Sequence, residues 1–568
     1  MAALLGCRTR SSSCQISDGD VFEVNVNRLP CTTYAVEHSI NMIRASLLAL
    51  VILGSSFSMN VLVWSPSIGH SHVRFMGNIA DILVKDGYNV TVFTPIMDPH
   101  VHVIGHQSAT KQLLFQSKYY DPNEWLTLDF KGGFWEAPKV EGRCMNMDDM
   151  DKFRELNYKI CKGLLDDATI LSTLRDCHFD IALHEMYDYC VVAILEMIGI
   201  KNTIVVSALG VTPHVQTIAG FPSNPSFVPG MLTTYSDEMS FWERLDNFKL
   251  GIETRSSDAD AERDIWNLVN EYRPGFPDLS SLVKQKTGVV LLNSNEVTET
   301  PRPTANILRY IGGATLHEPK KLPVELDALL DERPKTVLFS LGSLAQSKDM
   351  PLRLKQEIIA AFASFPNTTF VWKYEEENDA LLFEKYPNIH TMKWVPQTDL
   401  LADQRLSLFI THAGMNSVLE AVFSGKPMVA IPLFVDQILN AKNMQSRGLG
   451  VMVDKHDLNR DTLIAALRAT LFANSTYARK AASVAKYLHG RPAAARAEIS
   501  HWVKLVAEEG LLDHLVMRSR EMSFLTYYCI DIIAYLGVQY IIIFFLLYKA
   551  LKFVYIQICR FIIKFKAE

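Results

Sequence analysis

The segment from Leu525 to Tyr548 constrains this chain most: it reads LTYYCIDIIAYLGVQYIIIFFLLY and carries one charge, Asp531. About 20 apolar residues in a helix cross the hydrocarbon core of a bilayer, and a helix satisfies its backbone polar groups internally. We therefore expect a transmembrane helix over residues 525–548. The tail 549–568 that follows is basic, so the positive-inside rule places it in the cytosol and the preceding residues across the membrane.

A second apolar segment lies near the start of the chain. Met42-Ile43-Arg44 is a short basic start, residues 47–53 are apolar, and Ser56-Phe57-Ser58 has the small-x-small pattern of a cleavage site. Together these features are typical of a secretory signal peptide. We interpret residues 42–58 as that signal and residues 1–41 as a polar extension outside the mature protein, although whether it is translated stays open.

The signal and the span together predict a single-pass type I protein whose folded part is lumenal. Lys564 and Lys566 lie five and three places from the end of the chain. This spacing resembles the dilysine retrieval signal of endoplasmic reticulum residents, so we expect the endoplasmic reticulum membrane as the location. A basic tail that only contacts anionic lipid is the alternative.

Composition excludes two classes of protein. The net charge is −6 and no folded region is strongly basic, which argues against a nucleic-acid partner. The expected lumenal part has four cysteines, too few for a disulfide scaffold, although an oxidising lumen allows one or two bridges whose pairing stays open. These cysteines are Cys144, Cys161, Cys177 and Cys190, and the glycosylation tripeptides begin at Asn89, Asn367 and Asn474.

Strand-like and helix-like patterns alternate in two separate stretches. In the first, a strand over 60–64, a helix with apolar residues at helical spacing and a strand over 90–93 make a βαβ unit without a G-x-G-x-x-G turn. A Pro-rich linker at 314–335 separates a domain at 59–313 from a second at 336–510. The sequence predicts an α/β fold of two Rossmann-like, doubly wound domains that face a cleft.

The densest motif occupies residues 394–441 and reads WVPQTDLLADQRLSLFITHAGMNSVLEAVFSGKPMVAIPLFVDQILNA. Residues 406–411 read as a strand, His412-Ala413-Gly414 as a tight turn, and 416–423 as a helix. Free N–H groups and the helix dipole make a helix amino terminus an anion site. We therefore expect a diphosphate over this turn, where Gly414 lets the backbone approach and His412 donates.

Residues around this turn suit a nucleoside. Glu420 lies one turn after Asn416 on the same helix face, where its carboxylate can accept from ribose hydroxyls. Trp394 offers a flat face for a pyrimidine, and the Gln397 amide can reach the sugar or the base edge.

These motifs, W-x-P-Q, H-x-G-x-N-S-x-x-E and Asp436-Gln437, resemble the signature of family 1 glycosyltransferases. Residues 42–568 as a whole resemble the membrane-bound UDP-glucuronosyltransferases of animals, which implies the GT-B fold and a UDP-sugar donor. Animal members often have two glycines after the histidine, and Ala413 replaces the first here. The donor-site residues that the resemblance implies are Ser343, Trp394, Gln397, His412, Gly414, Asn416, Ser417, Glu420, Asp436 and Gln437.

The resemblance also implies a role for each of these residues. Trp394 would stack on uracil, and Gln397 with Glu420 would hold the ribose. Asp436 and Gln437 would bind hydroxyls of the transferred sugar, although a helix-capping aspartate is the alternative for Asp436. The residues implied for the diphosphate are Ser343, His412, Asn416 and Ser417.

Two histidines lie after the first strand, in Ile68-Gly-His70-Ser-His72. Sugar transfer needs a general base for the acceptor hydroxyl, and a neutral imidazole suits that task. The helix register places His72 at the start of the first helix, where the dipole disfavours imidazolium. In the family, the catalytic histidine precedes a strand that begins V-T by a fixed interval, which leads from Val90 back to His72. We expect His72 as the base and His70 in the turn.

A general base of this kind is usually oriented by an acid. In the family an aspartate ends the strand that follows an F-D pair. Here Phe179-Asp180 leads to Glu185, with Asp188 three residues later as the competitor. We expect Glu185 to be the partner of His72 in a catalytic pair.

The resemblance predicts inverting transfer of glucuronic acid from UDP-glucuronate to a hydroxyl of a small lipophilic acceptor. UDP-glucose as donor, or a non-catalytic subunit that binds nucleotide sugars, are the alternatives, and a homo- or hetero-oligomer stays open. Two D-x-D strings, Asp149-Met-Asp151 and Asp258-Ala-Asp260, fit a cation motif but follow no strand. We therefore expect no metal and no cofactor beyond the donor itself.

Overall fold

The computed structural model describes residues 58–567, except 102, 128–134, 136–141, 143–146, 222, 344, 377–378 and 473. The polar extension and all but the last residue of the expected signal lie outside the described residues. The chain divides into two units, Met1–Ser58 and Met59–Glu568, and both sheets belong to the second.

The first sheet has seven parallel strands in the order β3-β2-β1-β4-β5-β6-β7. Its central strands are almost continuously apolar because helices cover both faces. The strands are β1 Asn60–Trp64, β2 Asn89–Pro95, β3 Lys111–Phe115, β4 Ile181–Glu185, β5 Thr203–Ser207, β6 Thr287–Leu292 and β7 Leu308–Tyr310. The helices are α1 His70–Lys85, α2 Met147–Asp166, α3 Ala168–Asp176, α4 Cys190–Met197, α5 Pro213–Ala219, α6 Phe241–Tyr272 and α7 Leu279–Lys286.

The second sheet has six parallel strands in the order β10-β9-β8-β11-β12-β13. Its strands are β8 Lys335–Ser340, β9 Thr368–Lys373, β10 Ile389–Met392, β11 Leu406–Thr411, β12 Met428–Ala430 and β13 Gly450–Met452. Its helices, preceded by α8 Val324–Asp331 within the expected linker, are α9 Leu352–Ala363, α10 Gln397–Ala402, α11 Met415–Phe423, α12 Asp436–Ser446, α13 Arg460–Thr470 and α14 Thr476–Tyr487. The prediction of two Rossmann-like domains is confirmed.

Each sheet has one point where the strand order reverses. In the first sheet it lies between β1 and β4, which pair in parallel with Trp64 opposite His184. In the second it lies between β8 and β11, which pair with Ser340 opposite Thr411. Ligands of open α/β sheets bind beyond the carboxyl ends of the strands at such points, so the segments after these four strands are where a site is expected.

The helix α15, Arg491–Glu509, connects the two halves of the chain. It lies within residues 336–510, which we expected to form the second domain, but its apolar side packs on the first sheet. Ile499 and Val503 share a buried cluster with Val61 and Val206 of that sheet. The chain therefore returns to the first domain before it reaches the apolar segment.

The apolar segment forms a short helix α16, Phe524–Tyr527, and a helix α17 of 38 residues, Ile530–Ala567. In the described part of the chain, α17 is the one helix whose length and composition would allow it to cross a membrane. It starts later than residue 525 because Cys529, at φ 53, interrupts the helical path. It also continues through the basic residues expected in the tail.

A disulfide joins Cys161 of α2 to Cys190 of α4. It is a pairing that the sequence left open. Cys177 is a free cysteine, and Cys144 lies outside the described residues.

Candidate active site

His72 lies in the first turn of α1, beyond the carboxyl end of β1. The helix begins at His70 after Gly69, so His70 is its first residue and not part of the preceding turn. The His72 side chain is 18% exposed, and its Nδ1 lies 3.2 Å from both carboxylate oxygens of Glu185. Because an ionised carboxylate only accepts hydrogen bonds, Nδ1 carries the proton and Nε2 keeps a lone pair.

Glu185 is the last residue of β4, the strand next to β1. Its side chain is 1% exposed. Besides His72, its Oε1 accepts a hydrogen bond of 3.0 Å from the backbone N–H of Ala208, just beyond β5. Three neighbouring strand ends therefore hold this carboxylate in place against the imidazole.

Tyr187 is a third member of this cluster that the sequence did not predict. Its hydroxyl donates to Oε1 of Glu185 at 2.8 Å and lies 2.7 Å from Nδ1 of His72. Burial and the Glu185 charge raise the pKa of Tyr187 well above its ordinary value. The tyrosine thus stays neutral and can accept from the imidazole while it donates to the carboxylate.

The pKa of His72 is raised from its ordinary value. Burial lowers it, but the charge of Glu185 and its hydrogen bond more than offset the burial, with a smaller contribution from Asp436. The pKa of His72 therefore moves in the direction opposite to the one that we expected from its place at the helix start.

Asp188, the alternative partner, lines the same cavity but makes a different contact. It accepts a hydrogen bond of 2.6 Å from the backbone N–H of Cys190 at the start of α4. Burial raises its pKa to about 6. Asp188 therefore accepts from the first N–H group of α4, and the imidazole contact belongs to Glu185.

His412 lies in the turn between β11 and α11, at the reversal point of the second sheet. Its ring packs between two glycines: a Cβ at Gly342 would lie 2.6 Å from its Cε1, and one at Gly414 would lie 2.5 Å from its Nε2. Burial and the charge of Lys373 lower its pKa to about 4. Its buried Nδ1 has no hydrogen-bond partner among the described residues.

Ala413, which follows His412, has a φ of 63° and is fully buried. This left-handed conformation is unfavourable for a residue with a Cβ. Two contacts hold it there: its N–H donates to Oγ1 of Thr411 at 3.2 Å, and its carbonyl accepts from the Asn440 amide at 3.1 Å. The turn keeps its shape with alanine in place of glycine.

Lys373, the last residue of β9, is a cation that the sequence analysis overlooked. Its ammonium group donates to the carbonyl of Gly342 at 2.8 Å and to Oε1 of Glu375 at 2.8 Å. Gly342 precedes Ser343, so a buried positive charge lies beside the turn that we expected to contact phosphate. Such a charge would stabilise an anion bound at this turn.

Gln397, Ser417 and Glu420 form one cluster at the base of α11. The Gln397 amide donates to Oγ of Ser417 at 3.1 Å and to Oε2 of Glu420. Thr398, which the sequence analysis did not single out, donates to Oε1 of Glu420 at 2.6 Å. Burial raises the pKa of Glu420, which these two donors partly offset.

Trp394 follows β10 and its side chain is 59% exposed. The Arg74 guanidinium of α1 lies 5.7 Å from the ring centroid and the Lys373 ammonium lies 5.8 Å from it. Arg74 belongs to the first domain and Trp394 to the second, so the ring lies at the junction of the two.

Asp436 and Gln437 begin α12. Asp436 accepts from the Asn440 amide at 2.7 Å and interacts electrostatically with His72 of the opposite domain. Oε1 of Gln437 accepts from the backbone N–H of Leu433 at 2.9 Å. The preceding Val435 has a φ of 49°, which is strained for a β-branched residue, and strain of this kind concentrates at functional sites.

Both D-x-D strings fall on helices, Asp149-Met-Asp151 on α2 and Asp258-Ala-Asp260 on α6. Asp258 forms an ion pair with His214 at 2.6 Å, and Asp260 contacts Arg263. Among the described residues, no group of three or more histidine, cysteine, aspartate or glutamate side chains is arranged to hold a metal ion.

One cavity of about 1680 Å³ joins these groups. Its lining includes His72 and Tyr187 from the first domain, and all ten expected donor-site residues from the second. It is larger than the 300 to 1,000 Å³ typical of a single small-molecule site, and therefore has room for two substrates.

Comparison with known proteins agrees with this geometry. Residues 59–565 match the family described as "UDP-glucoronosyl and UDP-glucosyl transferase". The chain is 29% identical to UDP-glucuronosyltransferase 1A7 of Mus musculus over 84% of this chain and 89% of that protein. It is 26% identical to UDP-glucuronosyltransferase 1A8 of Homo sapiens over 85% and 90% of the two chains.

Two solved structures share the fold. A crystal structure of the kitacinnamycin glycotransferase aligns with a TM-score of 0.54 and 19% identity, covering 78% of this chain and 99% of that one. A UDP-glucosyltransferase from Polygonum tinctorium aligns with a TM-score of 0.53 and 16% identity, covering 79% and 99%. The chain belongs to the family of UDP-glucuronosyl and UDP-glucosyl transferases, and it is a glycosyltransferase enzyme.

Proposed function

We propose that this enzyme transfers glucuronic acid from UDP-glucuronate to a hydroxyl of a small lipophilic acceptor, with inversion at the anomeric carbon. The observation that carries the proposal is the His72–Glu185 pair, which interacts across the cleft with Asp436 of the donor domain. The names of the mouse and human relatives support glucuronate as the sugar.

In this mechanism Nε2 of His72 removes the proton of the acceptor hydroxyl. The hydroxyl oxygen attacks the anomeric carbon in line, and UDP leaves with the electron pair of the glycosidic bond. Glu185 and Tyr187 hold Nδ1 of the imidazole and stabilise the imidazolium that forms. A base of this kind contributes roughly 10² to 10⁴ in rate.

The contacts support the donor-site assignments that the resemblance implies. Trp394 carries the uracil, and the cluster of Gln397 and Glu420 holds the ribose. Because Oε1 of Gln437 is engaged by backbone N–H groups, its amide nitrogen is left for a sugar hydroxyl, beside the Asp436 carboxylate. The groups assigned to the diphosphate are Ser343, His412, Asn416, Ser417 and the backbone at Gly414.

We propose that no metal takes part. Neutralisation of the diphosphate is assigned to the amino terminus of α11 and to the buried ammonium of Lys373. Chelation should therefore leave transfer unchanged. A rate that falls with EDTA and recovers with Mg²⁺ or Mn²⁺ would contradict this.

A panel of UDP-sugars tests the proposed function. Microsomes that contain the chain are incubated with a phenolic acceptor and UDP-glucuronate, UDP-glucose or UDP-N-acetylglucosamine, and His72→Ala serves as the inactive control. We expect a β-linked glucuronide from the intact chain. Transfer from UDP-glucose alone would contradict the sugar assignment, and no transfer from any donor would favour a binding subunit.

The two apolar segments and the lysine spacing of the tail support a location. We propose that α17 anchors the enzyme in the endoplasmic reticulum membrane with both α/β domains in the lumen and the basic end in the cytosol. Protease added to sealed microsomes should remove only an epitope placed after Glu568. Digestion of the α/β domains in sealed microsomes would contradict this topology.

A further inference from the structure

The large cavity extends from the catalytic cleft to the segment that leads into α17. Phe524, Tyr527 and Tyr528 line it, as does Met522. These residues contact the same continuous space as His72. The acceptor half of the site therefore has a wall built from the residues that immediately precede the apolar helix.

Chain length fixes how far this wall can lie from the apolar helix. Only Cys529 separates Tyr528 from Ile530, the first residue of α17. One residue spans at most about 3.6 Å, so the tyrosine lies within a few ångströms of the apolar helix. Tyrosine and tryptophan are enriched at the membrane–water interface, where one end is apolar and the other is wet.

Helix α6 forms the adjoining wall and continues the apolar surface. Gly251 and Arg255 line the cavity, and Arg255 lies close enough to Tyr528 to act on it electrostatically. Phe248 and Ile252 share the neighbouring face of the helix, and both are exposed. An apolar face therefore borders the cavity on the side where the chain turns into α17.

We propose that the acceptor cavity opens onto the bilayer interface between α6 and residues 522–528, and that acceptors dissolved in the membrane reach His72 through this opening. The exposed apolar face contacts lipid at the bilayer interface, because the face is continuous with the residues that lead into the membrane anchor. The inference rests on the proposed function, and it assigns a route through the membrane interface to those acceptors that partition into lipid.

Cross-linking tests where the face lies without reference to activity. The photoreactive residue p-benzoylphenylalanine is placed at Ile252, which is 56% exposed, or at Leu352 of the second domain, which is 55% exposed. The full chain is irradiated in phosphatidylcholine nanodiscs. We expect a phospholipid adduct at position 252 and none at 352. An adduct at neither position, equal adducts at both, or a protein adduct at 252 would overturn the proposal.

Acceptor selectivity tests the opening itself. Ile252→Asp, with Leu352→Asp as control, is assayed with soluble 4-nitrophenol and with a dodecylphenol dissolved in the same vesicles. A charge at the interface should lower kcat/KM for the dodecylphenol by about fivefold, with 4-nitrophenol within twofold of the unchanged protein. An equal change of kcat/KM for both phenols, or no change for either, would contradict the proposed route. If the unchanged chain transfers sugar to neither phenol, the proposed function fails, whereas the cross-link still locates the face.

Discussion

The Asn293 amide nitrogen donates a hydrogen bond of 2.8 Å to Oδ1 of Asn416, joining the first domain to the helix that begins the donor site. The same nitrogen donates to the carbonyl of Ala208 at 3.0 Å, and the N–H of Ala208 contacts Glu185. Because Oδ1 of Asn416 faces Asn293, the amide nitrogen of Asn416 is left to donate to the diphosphate in the proposed donor site. A short chain of contacts thus links Glu185, the partner of the imidazole, to Asn416 of the proposed diphosphate site.

Asn293→Ala should weaken UDP binding, since it frees Asn416 to rotate. We expect the Kd for UDP, measured by calorimetry, to rise about three- to tenfold, which corresponds to the loss of one hydrogen bond. Thr300→Val is the matched control, because it removes another hydrogen bond between the domains, from Thr300 to Asn443 at 2.8 Å. Equal losses in both variants would mean that Asn293 acts through general domain contact.

Lys373→Met should weaken UDP binding more strongly. A charge-assisted hydrogen bond is worth about 1.5 to 3 kcal/mol, so the Kd should rise at least tenfold, and its dependence on salt should decrease. Lys355→Met is the control: Lys355 is also buried and paired with a carboxylate, Asp379, but it does not line the cavity. UDP affinity that is unchanged in Lys373→Met would remove this lysine from the diphosphate site.

Ala413→Gly should stabilise the second domain, because glycine adopts the φ of 63° without strain. The gain is expected to be about 1 kcal/mol, seen as a higher melting temperature of the full chain in detergent. Ala421→Gly, in the right-handed interior of α11, should instead lower it by a similar amount. A lower melting temperature in both variants would show that residue 413 is not strained in solution.

The sequence predicted the two sheets because their strands are short, apolar and separated by amphipathic helices. It placed His72 and His412 beyond the ends of strands, and the structure shows that these strands lie at the reversal points of the two sheets. It did not predict that α15 packs on the first sheet, since an amphipathic pattern shows that a helix face is buried but not which surface covers it. The pairing of Cys161 with Cys190 was open for a similar reason.

Three residues of the site were overlooked for a common reason. Tyr187, Lys373 and Asn293 each lie at or just beyond the carboxyl end of a strand, in polar positions that the same rule about strand ends could have highlighted. Their roles depend on side-chain direction and on contacts between distant parts of the chain. Asn293 and Asn416, for example, are 123 residues apart. The residues within the long motif were easier to assign because their spacing along one turn and one helix fixes their neighbours.

Glu185→Gln should move the pH dependence of transfer. In the proposed mechanism the base works as neutral imidazole, so kcat/KM should rise with pH through the pKa of His72, which is raised above its ordinary value of 6.5 in the unchanged protein. Burial lowers this pKa and the Glu185 charge raises it. Removal of the charge should therefore shift the acid limb to lower pH, with a smaller maximal rate. A limb that stays in place would show that Glu185 does not control the imidazole.

The rate of the chemical step in His72→Ala tests the central claim most directly. Single-turnover transfer from UDP-glucuronate to a phenol is measured alongside the Kd for UDP, for the unchanged chain and the variant. The account predicts a transfer rate lower by about 10² to 10⁴, with a Kd within twofold because His72 belongs to the acceptor domain. A transfer rate within tenfold of the unchanged chain would contradict it.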